Sequence, residues 1–382
     1  MSRVADHANR REELLERLFA GVPRPDPESL LLLGRTPALR PLDVLALLLA
    51  YPGYEDLRRL VWRDVVNVIG RGFDTKHWNP SSLERYIAGD LRWLARSDRG
   101  MLWAGDRGYP QRLFRLYDPP PVLFAHGDIT LLAESGGERR ARIAVVGTRR
   151  PDRDGLNATY TLGAELAGNG VDVVSGLARG IDGAAHRGVV AVADQCAGRG
   201  IAVLGSGIDT IYPPEHRDLV ADLLHGGGVV VGEYHPGRRP AKWQFPARNR
   251  IIVGLSDGVV LMQAPERSGA LISADLANDI GVDVAVHASG ADWTGGATLV
   301  VAGAPVVRHT GDLLSMIPGG NGASEGFPIS SPIGSLQIVP PDPRSLNDKL
   351  LAAFGPVEEP QSIDEYRRML RGEVNRKGGV RR

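Results

Sequence analysis

A single cysteine, Cys196, stands among 382 residues, which excludes an intramolecular disulfide framework and any multi-cysteine zinc site. No metal is expected, and a reducing, cytoplasmic setting fits. The chain also lacks a charge excess: 45 Lys and Arg balance 45 Asp and Glu, so a nucleic-acid site has to be a local patch. No run approaches the roughly 20 apolar residues of a membrane span. The stretch 1–17 is dense in charge, without an apolar core of signal-peptide length. No membrane association is expected. What remains is an ordinary globular composition, 43% apolar, on a chain long enough for two or three domains.

The first third reads as helical. Glu12 to Leu18, Pro41 to Leu49 and Ser82 to Leu94 carry leucines at helix spacing. A proline-rich connector follows from Gly108-Tyr109-Pro110 to Asp118-Pro119-Pro120-Pro121-Val122-Leu123-Phe124. Its prolines forbid helix and favour an extended run over a surface between two domains. From Arg142 onward short Val/Ile/Ala runs alternate with helix-length segments, which predicts parallel strands with crossover helices. The expected strands are Ile143 to Val146, Val171 to Val174, Ile201 to Leu204, Val229 to Val231, Gly258 to Met262, Val284 to Val286 and one near Pro305 to Val307. Helices are expected near Leu156 to Ala167, Asp182 to Ala193, Glu215 to Leu224, Arg248 to Leu255 and Leu271 to Ile280. The fold class is therefore α/β, an extended Rossmann-like, doubly wound and mostly parallel sheet, with a helical N-terminal domain and a short helical tail. The expected divisions are 1–100 helical, 101–317 Rossmann-like with the connector, 318–344 a Gly/Pro/Ser linker, and 345–382 a tail with helix potential.

Open α/β sheets bind ligands at the carboxyl ends of their strands. Here those ends carry Gly147-Thr148-Arg149, Ser175-Gly176-Leu177-Ala178-Arg179-Gly180, Gly205-Ser206-Gly207 and Glu266-Arg267-Ser268-Gly269. Glycines admit close backbone approach, while hydroxyls and guanidiniums suit phosphate. Each loop alone is more often a tight strand-to-helix turn; their repetition on one edge points to a groove. None has the Gly-x-Gly-x-x-Gly spacing, and no Gly-Lys-Ser or Gly-Lys-Thr occurs. NAD and ATP are therefore poor ligands, and no cofactor is expected.

The segment from Tyr234 to Ser256 has no acidic residue, while Arg238, Arg239, Lys242, Arg248 and Arg250 surround Trp243 and Phe245. Phosphate neutralisation beside stacking surfaces points to single-stranded nucleic acid. The alternative is that Arg248 and Arg250 cap carbonyls or pair with carboxylates while Trp243 and Phe245 sit in the core. Catalytic signals are thin. Asp182 and His186 lie four apart on one helix face, an arrangement that either orients a base or fixes a helix start. His216 and His225 are spaced as surface helix residues, and His235 is a phosphate candidate. Ser175 and Ser268 stand in no nucleophile elbow. No catalytic residue is assigned.

These loops together, with Ser-Gly-Leu-Ala-Arg-Gly-Ile-Asp at 175–182, Tyr212-Pro213, Phe245-Pro246-Ala247-Arg248-Asn249-Arg250 and Ser268-Gly269-Ala270-Leu271-Ile272-Ser273-Ala274, resemble the DNA processing protein A (DprA/Smf) family over about Leu102 to Leu314. The resemblance implies a homodimer that binds and protects single-stranded DNA and loads RecA recombinase onto it during natural transformation, without enzymatic turnover. It assigns the DNA pocket to Arg149, Lys242 and Phe245. It likens the N-terminal helices to a sterile-alpha-motif-like fold and the tail to a truncated winged helix. Two departures stand out: His287-Ala288-Ser289-Gly290 replaces the usual Val-Pro-Gly, and Gln263 replaces the usual acid. A competing class is a small-nucleotide enzyme or sensor of a related fold, disfavoured because the turn at Ser268 to Ser273 has no carboxylate before Asp275.

Overall fold

The structure is a computed structural model and describes residues 19, 22–134, 140–266 and 268–316. The helix expected at Glu12 to Leu18, Arg267, the linker at 318–344 and the tail at 345–382 lie outside the described residues.

The described N-terminal region carries α1 (Pro27–Arg35), α2 (Pro41–Ala50), α3 (Tyr54–Arg59), α4 (Trp62–Ile69) and α5 (Pro80–Leu94). Three of them start on proline, whose missing N–H is unneeded in a first turn. Leu30 to Leu33 and Leu45 to Leu48 are buried all round their helices, the pattern of helices enclosed by neighbours, not laid on a surface.

The sheet follows as β1 (Arg99–Trp103), β2 (Val122–Gly127), β3 (Arg142–Val146), α6 (Arg153–Gly168), β4 (Asp172–Ser175), α7 (Ile181–Val192), β5 (Gly200–Val203), α8 (Arg217–His225), β6 (Val229–Gly232), α9 (Gln244–Gly254), β7 (Gly258–Leu261), α10 (Gly269–Asp279), β8 (Asp283–His287), α11 (Thr294–Val301), β9 (Val306–Val307) and α12 (Thr310–Met316). Its strand order is β1-β2-β6-β5-β4-β3-β7-β8-β9. From β3 the chain steps outward through β4, β5 and β6. Helix α9 then carries it back, and β7 pairs with the other side of β3, Ile143 opposite Gly258 and Val146 opposite Leu261. Winding reverses at β3, which places the crevice at the carboxyl ends of the central strands. The seven strands from β6 to β9 are parallel. Both faces of the central strands are covered, so they read as continuous apolar runs instead of alternating ones.

Two expectations change. The connector is not a surface strap: its end is β2, which pairs antiparallel with both β1 and β6 and extends the sheet. The prolines precede the strand, where they remove no ladder hydrogen bond. Tyr109 is buried with its hydroxyl donating to the Pro120 carbonyl at 2.7 Å, and Arg112 Nη1 donates to the Leu255 carbonyl at the end of α9 at 2.8 Å. Helix α9 also begins four residues before the expected Arg248. Pro246 is its third residue, where the backbone N–H has no intrahelical partner to lose. That shift puts Lys242 and Trp243 at the helix entrance and Phe245 in its first turn.

Candidate nucleic-acid interface

The loop after β3 is tied down on both sides. Thr148 N donates to the Gln263 carbonyl at 2.7 Å, and its own carbonyl accepts from Ile181 N at 3.2 Å. Gly147 packs against Ile181, and the Thr148 hydroxyl accepts from Arg150 N at 3.2 Å. With its backbone held, the loop projects Arg149 into solvent, and the guanidinium carbon lies 5.3 Å from the centre of the Phe245 ring.

The loop after β4 is held from below. Ser175 is buried, its hydroxyl donating to the Val145 carbonyl at 2.7 Å. Leu177 adopts the left-handed region at φ 56°, and its carbonyl accepts from His216 Nδ1 at 2.9 Å. One residue before His216, Glu215 pairs with the exposed Arg179. The turn at Pro214–His216 thus grips the loop at two points. After β5, Gly205 lies beneath Phe245: a Cβ there would stand 2.9 Å from Phe245 Cδ1 and 3.2 Å from the Gln244 carbonyl oxygen. Ser206 is buried and donates to the Thr210 carbonyl at 2.7 Å.

The result is a shallow pocket lined by Arg149, Gly176, Ala178, Arg179, Tyr212, Pro213 and Phe245. Tyr212 and Pro213 were legible only as part of the family-like sequence. The Tyr212 ring is partly exposed and meets Phe245 with centroids 5.3 Å apart and planes at 41°. Two guanidiniums and two rings therefore share one opening, the pairing that meets a phosphate with one group and a base with the other.

The other residues of the basic segment divide sharply. Lys242 is exposed, and Trp243 is 36% exposed with its edge against Tyr234. Arg248 and Arg250 are each 3% exposed. Arg248 Nη1 donates to the Gly176 carbonyl at 2.6 Å and also to the Val203 carbonyl, joining the β4 and β5 ends from inside. Burial pushes its guanidinium down to about 10, against the opposing pull of Asp182. Arg250 pairs with Asp118 at 3.0 Å and Glu233 at 2.5 Å. Asn249 donates to the Gly269 carbonyl at 3.2 Å, and the Ser268 hydroxyl caps α10 by accepting from Ala270 N at 3.0 Å. Neither Ser268 nor Gly269 lines the pocket.

The histidines and departures find structural places. Asp182 is buried and accepts from Ala178 N at 3.3 Å; burial raises its carboxyl pKa, opposed by Arg248. His186 is fully buried and its imidazole is pushed down to about 4 by burial. Neither opens on the pocket. His216 is not the surface residue its spacing suggested: it is 3% exposed because its ring sits under Leu177. His225 is exposed. His235 faces the N-terminal helices: its Nδ1 lies 2.7 Å from the Pro236 carbonyl oxygen, which also accepts from Arg35. Gln263 is buried at the crevice. Its Oε1 accepts from Asp152 N at 3.0 Å, and its Nε2 donates to Asp152 Oδ1 at 2.8 Å and to the Ser289 carbonyl at 3.2 Å. In the other departure, His287 accepts from Ser289 N at 3.1 Å.

Fold and site define a Rossmann-like protein whose ligand edge presents cations and rings, with no dinucleotide-type glycine loop. Residues 100–318 match the family of DNA recombination-mediator protein A, and the chain belongs to that family. It is 41% identical over 213 residues to DNA processing protein DprA of Bacillus subtilis, a match covering 55% of this chain and 68% of that protein. It is 44% identical over 179 residues to protein Smf of Synechocystis, covering 47% of this chain and 43%, less than half, of that relative. Among solved structures, DNA processing protein A from Streptococcus pneumoniae superimposes with a TM-score of 0.60 at 30% identity, over 78% of this chain and 99% of the other. The Helicobacter pylori protein, studied for its single-stranded DNA binding mode, gives 0.50 at 29% identity, over 57% of this chain and 94% of that one. No helix among the described residues is long and apolar enough to cross a membrane.

Proposed function

We propose that this protein is a single-stranded DNA binder, not an enzyme, that holds its strand in the pocket between Arg149 and Phe245. The observation that carries the reading is the 5.3 Å approach of the Arg149 guanidinium to the Phe245 ring, with Tyr212 on the same ring. Phe245 and Tyr212 offer stacking surface to a splayed base, and Arg149, Arg179 and Lys242 meet the flanking phosphates. Gly176 brings backbone to the pocket wall, while Gly205 lets the Phe245 ring settle on the β5 loop. Arg248, Arg250, Ser175 and Ser206 act from beneath by holding the loops. The Helicobacter relative, studied for binding single-stranded DNA, supports the substrate class. Membership of a recombination-mediator family supports the further reading: a cytoplasmic homodimer that passes its strand to RecA recombinase during DNA processing for transformation.

Cations and rings line the pocket, which favours strand binding over nucleotide hydrolysis. Titrating labelled oligothymidylate into the protein and its Arg149→Ala and Lys242→Ala variants tests the reading. Each variant is expected to bind more weakly and with a shallower salt dependence. Unchanged affinity in both, or release of free base from nucleoside monophosphates, sinks it. Sizing the protein with oligonucleotide and purified RecA tests the homodimer and the hand-over.

A further inference from the structure

We propose a second strand-binding track that continues from the Phe245 pocket along the basic segment and onto the helical N-terminal region, ending at Arg85 and Tyr86. It rests on the single-stranded DNA reading above and extends it to a surface outside the sheet edge.

The route is continuous in contacts. Phe245 packs on Gly205. Two residues on, Gly207 N donates to the Arg238 carbonyl at 2.8 Å. Arg238 N in turn donates to the His235 carbonyl at 3.3 Å. The neighbouring Pro236 carbonyl accepts from Arg35 Nη2 at 2.8 Å, and the Arg35 guanidinium carbon lies 5.4 Å from the centre of the Tyr86 ring. Arg85 lies 4.6 Å from that same centre, and its Nη2 donates to the Tyr86 hydroxyl at 2.7 Å.

Exposed cations outnumber exposed acids along the route. Arg85, Arg238, Arg239 and Lys242 are exposed, and none forms an ion pair among the described residues. Each acid beside the route has a partner: Asp90 is held by Arg35 at 2.5 and 2.6 Å, Glu84 faces Arg58 at 3.8 Å, and Asp209 accepts from Gly237 N at 2.7 Å. Planar groups recur at both ends, with Trp243 36% and Tyr86 44% exposed. A solvated basic face needs no such rings. Arg85 is held by the ring and hydroxyl of its neighbour instead of swinging free, which presents a guanidinium plane on which an unstacked base rests. Duplex DNA keeps its bases stacked away from such planes, so the chemistry selects a single strand.

Oligothymidylates spanning about 4 to about 16 nucleotides, the range of single-strand site sizes, separate pocket from track. Arg85→Glu, Arg238→Glu and Tyr86→Ala are expected to leave the shortest bound oligomer unaffected and weaken the longest severalfold. Each charge reversal should also flatten the salt slope for the long oligomer by about 0.7 or more. Arg308→Glu, after β9 on the opposite sheet edge, controls for bulk charge and is expected to change neither length. The track is overturned if the three variants bind long oligomers like the parent, or lose short and long binding equally. Arg149→Ala separates the two claims. Parent protein that binds neither length removes the pocket and the track together. Loss of short binding in Arg149→Ala, with long binding indifferent to Arg85 and Arg238, removes the track alone.

Discussion

The Arg149 guanidinium lies over the Phe245 ring at 5.3 Å although the two residues are far apart in sequence and belong to β3 and α9 ends. Gly205 makes the encounter possible, since any side chain there would push Phe245 off the β5 loop. A cation and a stacking face thereby address one nucleotide.

Their contributions are separable by salt. Phe245→Ala is expected to lower single-strand affinity by about 1–3 kcal/mol, the worth of one base–aromatic stack, with the salt slope unchanged. Arg149→Ala is expected to reduce that slope by about 0.7. Because the side chains touch, the double variant should lose less than the two single losses added. Fluorescence anisotropy across a salt series reads all three, and a slope change in Phe245→Ala contradicts the division of roles.

Arg248 works on stability before it works on DNA. Its removal orphans the Gly176 and Val203 carbonyls and takes from Asp182 the cation that most strongly opposes its burial. Arg248→Ala is expected to destabilise the fold by about 2–4 kcal/mol, measured by denaturant unfolding. Gly176→Ala should mimic it in part, because a Cβ there would stand 2.5 Å from the Arg248 guanidinium carbon. Unaltered stability in Arg248→Ala would return this residue to the list of direct phosphate contacts.

That pair of residues shows what the sequence could carry. The doubly wound sheet was legible because parallel strands buried on both faces read as unbroken Val/Ile/Ala runs, and each was followed by a glycine-bearing turn. The loops of the site were legible for the same reason. The split between Arg149 and Lys242 on one side and Arg248 and Arg250 on the other was not, since all four are arginine or lysine in basic surroundings. Only burial separates them: Arg248 and Arg250 point inward from α9, while Arg149 projects from a loop whose backbone is already bonded. The connector was misread because proline content describes where helix is forbidden, whereas β2 depends on the distant edge of β6. His216 was missed as a loop support because the carbonyl it binds belongs to Leu177, 39 positions away.

Burial of His186 gives the fold an acid limb. Above about pH 6.5 both folded and unfolded chains hold the ring neutral. Between there and about 4, the folded pKa, only the unfolded chain takes up the proton, so stability falls as pH falls. The full loss is about 3 kcal/mol. Burial is the largest cause, and His216, Arg248 and Arg187 add to it, against the pull of the Ser175 backbone carbonyl toward the protonated ring. Asp182 works oppositely: its raised carboxyl protonates in the folded state first and returns some stability in acid. Comparing His186→Leu with the parent isolates the histidine. The variant's unfolding free energy should decline less between pH 6.5 and 4.5, and parallel curves would count against the assignment.

Gln263 occupies the reversal point of the winding, where an amide is required by its neighbours. Its Nε2 faces two acceptors, the Asp152 carboxylate and the Ser289 carbonyl, while its Oε1 receives Asp152 N. The Gly155 N–H and then the Gln263 amide hold the Asp152 carboxyl below its ordinary range. Gln263→Glu changes no volume but turns both donated bonds into repulsion between acceptors. A penalty of about 1–3 kcal/mol is expected at neutral pH. The introduced carboxyl would have a raised pKa beside Asp152, so the penalty is present when it is ionised and recedes as pH falls and it takes up a proton. Thermal unfolding from pH 7.5 to 5 should therefore show the variant converging on the parent in acid. The Gln263 backbone carbonyl anchors Thr148 N, one residue before Arg149, so a backbone shift forced by that repulsion should weaken single-strand binding at pH 7.5 and spare it at pH 5. A uniform loss across pH would mean that packing, and not the donor, is what this position supplies.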